Sequence, residues 1–300
     1  MLRTVMIGSV LVGCASSKED DGAAFCPATP LDLAAPTDAA LEALMRANEH
    51  RAMMNLAPGS LHPSLNQASQ AHADYMACNE VITHQEDSNL GGFTGEWVWD
   101  RIDAAGYVLE GGRSWSEVIA DGYSATDAID GWVNSVYHRI PFTIPYWVDV
   151  GFGLTDHYSA MTFVTPYPDG PRTAVMYPVD GQVGVPVDFN SDWEIPDPDP
   201  VRGIIGYPIS VTVAAPDAGD AEADPYDLRL VDAALVGPDG AELDLVTIDP
   251  ETDGYLYTMV AMWTETPLVP NTEYEASMTV RWDGSEQTLT AVFTTAPQAR

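Results

Sequence analysis

Between residues 274 and 282 apolar and polar positions alternate, with Tyr274, Ala276, Met278, Val280 and Trp282 interleaved by Glu275, Ser277, Thr279 and Arg281. A period of two sends the two sets to opposite faces of a strand. Asp283-Gly284 follows, and a Thr- and Val-rich run returns through Thr295. That order predicts a hairpin closed by an Asp-Gly turn. Shorter β-rich runs at 173–177, 207–214, 228–236 and 242–248 are separated by Pro, Gly and Asp, with no helical period among them. Residues 172–300 therefore read as an all-β sandwich.

The first half carries a different period. Thr37 or Asp38 stands where a helix cap belongs, with Leu41, Leu44 and Met45 on one face. A second helical pattern covers 65–78, with Leu65, Ala68, Ala71, His72, Tyr75 and Met76 along one stripe. A third runs from about Thr126 through Ala128, Ile129, Trp132 and Val133. Segments 148–154 and 160–165 read as strands joined by a turn at Asp156-His157. Helices first and strands later predict an α+β module over residues 38–166.

Composition narrows the class of function. The chain has 300 residues and carries 45 Asp+Glu against 12 Lys+Arg, a formal net charge of −33. A nucleic-acid partner is excluded, because a phosphate backbone needs clustered Lys and Arg to release its counterions. The charge also argues against an electrostatic grip on an anionic membrane surface. Disorder does not follow, since 46% of the residues are hydrophobic. All six histidines lie at or before His157, and residues 172–300 hold neither His nor Cys. Histidine or thiol chemistry therefore belongs to the first half.

The chain starts with Arg3 and an apolar run over 5–12, too short to span a bilayer but suited to a signal-peptide core. The run ends in Leu11-Val12-Gly13-Cys14, which resembles the bacterial lipobox. That resemblance implies acylation of Cys14, a lipid anchor in the membrane, and an exported, periplasmic or cell-surface location. Residues 1–14 are then the signal segment and 15–37 a polar tether. With Cys14 lipidated, Cys26 and Cys78 remain, an even number in an oxidising compartment. A disulfide is expected; two free thiols are the alternative.

Short blocks follow one another in the first module. They are Asn48-Glu49-His50-Arg51, Thr83-His84, Asp100-Arg101-Ile102, Ala104-Ala105-Gly106-Tyr107, Ser116-Glu117-Val118-Ile119-Ala120, Trp132-Val133-Asn134-Ser135 with His138-Arg139, and Val150-Gly151-Phe152-Gly153. Their order resembles the bacterial branch of the CAP superfamily, which groups cysteine-rich secretory, antigen-five and pathogenesis-related-one proteins, also called SCP-like domains. The resemblance implies an α-β-α sandwich with a cleft where two His and one or two Glu converge, some members binding a divalent metal. By position these are His84, His138 and Glu117. Two departures leave the cluster incomplete: Val118 replaces the usual Asn, and Ser135 stands where animal and plant members keep a second Glu. In the second module, Leu268-Val269-Pro270-Asn271-Thr272-Glu273-Tyr274 resembles a signature of fibronectin type III and bacterial Ig-like domains, whose Tyr makes a corner hydrogen bond.

Two functions compete. One is a binding module for a lipid, glycan or protein ligand, with the C-terminal sandwich as spacer or adhesion module. The other is a metal-dependent hydrolase of envelope polymers or peptides, in which His84 and His138 hold Zn²⁺ and Glu117 ligates it or acts as general base. Elsewhere, His72 reads as a core or cleft-edge residue, His50 and His62 as surface groups, and His157 as a turn residue. Glu96 is a further cleft candidate, Trp97 and Trp99 local packing, Trp115, Trp132 and Trp147 core. Arg101 or Arg139 is expected to pair with a carboxylate. The acidic stretch 217–227 lacks EF-hand spacing and reads as a solvated loop.

Overall fold

The computed structural model describes residues 26, 28, 35–108, 113–122, 124–146, 149–166, 172–198, 203–214 and 227–297. The expected signal segment with Cys14, most of the tether, Trp147 and nearly all of the acidic stretch 217–227 lie outside the described residues.

The N-terminal module begins with α1 (Asp38–Met53), which Thr37 caps by accepting from the Ala40 amide at 3.1 Å. β1 (Ser60–Leu61) leads to α2 (Pro63–Asn79), where His62 is the cap and proline takes the first position. α3 (Val98–Ala104) and β2 (Arg113–Asp121) follow, neither legible as an apolar period. α4 (Ala125–Val133) is capped by Ser124 rather than Thr126, and the short α5 (Ile140–Thr143) comes next. β3 (Asp149–Thr155) and β4 (Tyr158–Pro166) form the expected hairpin, with Asp156 at positive φ in its turn.

Strand order in this sheet is β1-β3-β4-β2. Alternation sorts its side chains into two faces. Val118, Val150, Phe152, Met161 and Phe163 join the core of α1 and α4. Ile119, Ala160 and Val164 pack with residues of α2 and α3 on the other face. The sheet thus lies between two helical layers. α2 sits so close to β3 that a Cβ on Gly151 would lie 2.1 Å from the Leu65 carbonyl carbon, and one on Gly153 2.3 Å from the Gln70 Cα. The Val150-Gly151-Phe152-Gly153 block therefore lacks side chains on one face because a helix backbone occupies that space. Cys26 and Cys78 are joined in a disulfide, which ties the chain before α1 to the end of α2.

The C-terminal module holds β5 (Ala174–Tyr177), β6 (Val183–Val185), β7 (Asp188–Asn190), β8 (Ile204–Gly206), β9 (Ile209–Val213) and β10 (Arg229–Val236). It ends with β11 (Val246–Ile248), β12 (Met259–Trp263), β13 (Glu273–Trp282) and β14 (Ser285–Thr295). Two four-stranded sheets, β10-β13-β14-β6 and β11-β12-β9-β5, pack on each other, and β7 pairs with β8 apart from them. β13 buries the apolar set and β14 returns from a turn whose Asp283 and Gly284 both have positive φ. The Tyr274 hydroxyl accepts from the Val269 amide at 2.9 Å, as the motif around it implies.

The two modules share their core. One cluster of buried side chains runs from Trp132 and Phe142 to Tyr177, Val211 and Phe293, and a second joins Val136 to Ile205, Met259 and Trp263. Arg139 is fully buried at this junction, 5.0 Å from the Tyr177 ring and 5.1 Å from the Tyr207 ring. It donates to the carbonyls of Val133 and Pro208 and to Ser210, so of the two arginines expected to pair with a carboxylate it is not the one that does. The Tyr207 hydroxyl donates to Asn134 at 2.7 Å.

Candidate functional site

The site lies on the sheet face covered by α2 and α3. Glu117 is on β2, two residues from Ile119 and so on the same face. His72 comes from α2, Arg101 from α3, and His84 and Glu86 from the segment between those helices. Arg101 donates to both oxygens of Glu117, at 2.7 and 2.8 Å. His84 Nδ1 lies 3.0 Å from the same carboxylate, and His72 Nε2 lies 3.8 Å from it. Burial pushes the Glu117 carboxyl up, but Arg101, His72 and His84 together outweigh it and hold it well below the usual carboxylate range.

A second carboxylate sits behind the first. Glu86 is buried and faces His72 Nδ1 at 2.9 Å; it also accepts from the amides of Thr94 and Gly95. His72 Nε2 meets the Thr83 carbonyl at 2.8 Å. Both ring nitrogens of His72 therefore face acceptors. Arg101 lies between the two buried carboxylates, 2.7 Å from Glu117 and 3.8 Å from Glu86, and its charge makes their burial tolerable. His84 differs: a third of its side chain, 34%, is exposed. Glu117 can only accept, so His84 Nδ1 carries the proton and Nε2 is the nitrogen left for other partners.

His138 has a different partner. Its Nδ1 lies 3.0 Å from Glu194, a carboxylate of the C-terminal module, and its side chain is 20% exposed. Among the described residues no group of three or more His, Cys, Asp or Glu is arranged to hold a metal ion. A metal on Glu117 would have to displace Arg101 from both oxygens. As placed, His84, His138 and Glu117 do not make a Zn²⁺ ligand set.

The remaining candidates separate cleanly. His50 is buried rather than on the surface and meets Asp130 at 2.8 Å, where Arg46 also donates. His62 caps α2 and packs edge-on against Tyr107, and His157 lies in the β3–β4 turn. Glu96 is exposed and accepts from Gln85. Trp97 stacks on Trp99, and Trp132 is core. Glu86 and Glu194 escaped sequence reasoning. Glu86 had a weak signal, two residues after His84; Glu194 lies 56 residues beyond His138 and had none.

Residues 44–165 match the family described as the cysteine-rich secretory protein family, CAP. An extracellular protein containing an SCP domain, from Bacillus anthracis str. Ames, is 19% identical over 42% of this chain and 40% of its own, with a TM-score of 0.38. The chain thus spans well under half the length of that protein. An outer surface protein from Borrelia burgdorferi is 18% identical over 43% of this chain and 94% of its own, with a TM-score of 0.32. No curated protein matches.

Proposed function

We propose that the chain is an exported, lipid-anchored protein of the bacterial cell envelope whose CAP module binds a lipid, glycan or protein ligand. One observation carries the choice of binding over hydrolysis: Arg101 grips both oxygens of Glu117 inside the protein. A general base or a metal ligand needs a carboxylate lone pair that is available to substrate or metal. Here Oε1 accepts from Arg101 and faces His84, Oε2 accepts from Arg101, and what faces outward is the imidazole of His84. Export is supported by the apolar run ahead of Cys14 and by the Cys26–Cys78 disulfide, which persists in an oxidising compartment. The two packed sheets and the Tyr274 hydrogen bond support an Ig-like reading of the C-terminal module, seated on its neighbour rather than strung out as a spacer.

Native mass spectrometry of the full chain purified from membranes is the test, with calorimetric Zn²⁺ titration and a panel of envelope polymers and peptides beside it. The expected result is a retained ligand whose occupancy falls in His84→Ala, a flat titration and no turnover. Turnover without retained ligand, or a one-site Zn²⁺ isotherm lost in His84→Ala, supports the metal-dependent hydrolase instead.

A further inference from the structure

Glu194 belongs to the C-terminal module, directly after a 3₁₀ turn at Ser191–Trp193, yet its side chain is fully buried against the segment that follows α4. Oε2 accepts from the Val136 amide at 2.7 Å. Oε1 accepts from the Tyr137 amide at 2.7 Å and the His138 amide at 3.2 Å, and lies 3.0 Å from His138 Nδ1. Four donors from three consecutive residues converge on one carboxylate. Burial disfavours its charge, and His138 with these amides more than restores it, so the carboxyl is held below the usual range.

The arrangement repeats the one at His84. In each case a buried carboxylate that only accepts faces Nδ1, so that nitrogen is the donor, and Nε2 of a partly exposed ring is left for other partners. The two carboxylates come from different modules. Glu117 is on a strand of the CAP module itself, whereas Glu194 is delivered by the C-terminal module.

We infer that Glu194 is a positioning residue for His138: it holds the imidazole in the Nδ1–H tautomer and so presents Nε2 as an acceptor to a ligand bearing hydroxyl or amide donors. The C-terminal module thereby supplies the carboxylate that faces a histidine of the CAP module. The inference rests on the proposed binding function and adds His138 to its candidate contacts, with a ring orientation that depends on the second module being docked.

Long-range ¹H–¹⁵N spectra of the histidine-labelled full chain, recorded at a pH where imidazoles are neutral, read the tautomer directly and need no ligand. The wild type is expected to show His138 in the Nδ1–H form. Glu194→Ala should move the tautomer ratio about tenfold towards Nε2–H, the size expected when a hydrogen bond to a charged group is lost. Glu194→Gln, whose amide oxygen still accepts, should restore much of the wild-type ratio. Tyr207→Phe removes the junction hydrogen bond to Asn134 without touching Glu194, and should leave the ratio unchanged. His138 in the Nε2–H form in the wild type, or a folded Glu194→Ala with an unaltered ratio, overturns the inference. Because ligand retention is measured separately, an Nδ1–H His138 in a chain without ligand would discard the binding reading and keep the tautomer lock.

Discussion

Nη2 of Arg101 donates to both carboxylate oxygens of Glu117, in an ion pair whose two side chains are nearly shielded from solvent. α3 carries the guanidinium and β2 the carboxylate, so the pair also pins a helix to the sheet. Replacing Arg101 with Met strips the buried Glu117 of its guanidinium partner, with an expected loss of about 3–5 kcal/mol of stability. The fall should show as a lower urea midpoint with an unchanged slope. Adding Glu117→Gln to that variant should recover part of the loss, because the orphaned charge is then gone.

Acid should weaken the fold through the same group. Glu117 and Glu194 both titrate below the usual carboxylate range when folded. An unfolded Glu titrates near ~4.3, so their contribution is fully present above that value and is lost as pH falls below it towards the folded values. Urea midpoints taken from pH 7 down to pH 3 are expected to decline below about pH 5. In Glu117→Gln the decline should be shallower.

The Cys26–Cys78 disulfide joins residues separated by 52 positions. Closing a loop of that size restricts the unfolded chain and is worth about 4 kcal/mol on the chain-entropy estimate. A reducing agent should lower the urea midpoint of the wild type accordingly. A Cys26→Ser, Cys78→Ser variant should match the reduced protein and ignore the reductant.

Two glycine-to-alanine changes should have opposite signs. A methyl at Gly151 meets the backbone of Leu65, which cannot give without moving α2 off the sheet, so a loss of about 3 kcal/mol or more is expected. Gly131 lies in α4 with nothing near its missing Cβ. There alanine should add about 0.5–1 kcal/mol through helix propensity. Thermal melts of the two variants check both signs.

The shared core predicts that the modules unfold together. Arg139→Ala removes a buried guanidinium that bridges Val133 and Pro208, and leaves both carbonyls without this donor. A loss of about 3 kcal/mol, the upper part of the range for a broken buried network, is expected. Calorimetry should record one transition for the wild type, shifted down as a whole in the variant. Two separated transitions in the wild type would argue that each module folds alone.

Local rules made much of the fold readable. The cap at Thr37, the β3–β4 turn at Asp156 and the Asp283-Gly284 hairpin each depend on neighbours within a few residues. α3 and the short strands β6, β7, β8 and β12 were missed, because elements of three to seven residues hold too few positions to display a period. His50 read as a surface group, since its partner Asp130 lies 80 positions away.

The site divides along the same line. By itself the sequence determined that histidine chemistry sits in the first module, which histidines and glutamate stand in the blocks that carry its family resemblance, and that the second module is all β. Only the tertiary structure decided what those residues can do. Whether Glu117 is available or gripped depends on Arg101 arriving from another element, and the partner of His138 comes from another module. Hydrogen bonding and charge compensation act over about 3 Å in space regardless of separation along the chain, so a carboxylate 56 residues away can fix a proton that no local pattern announces.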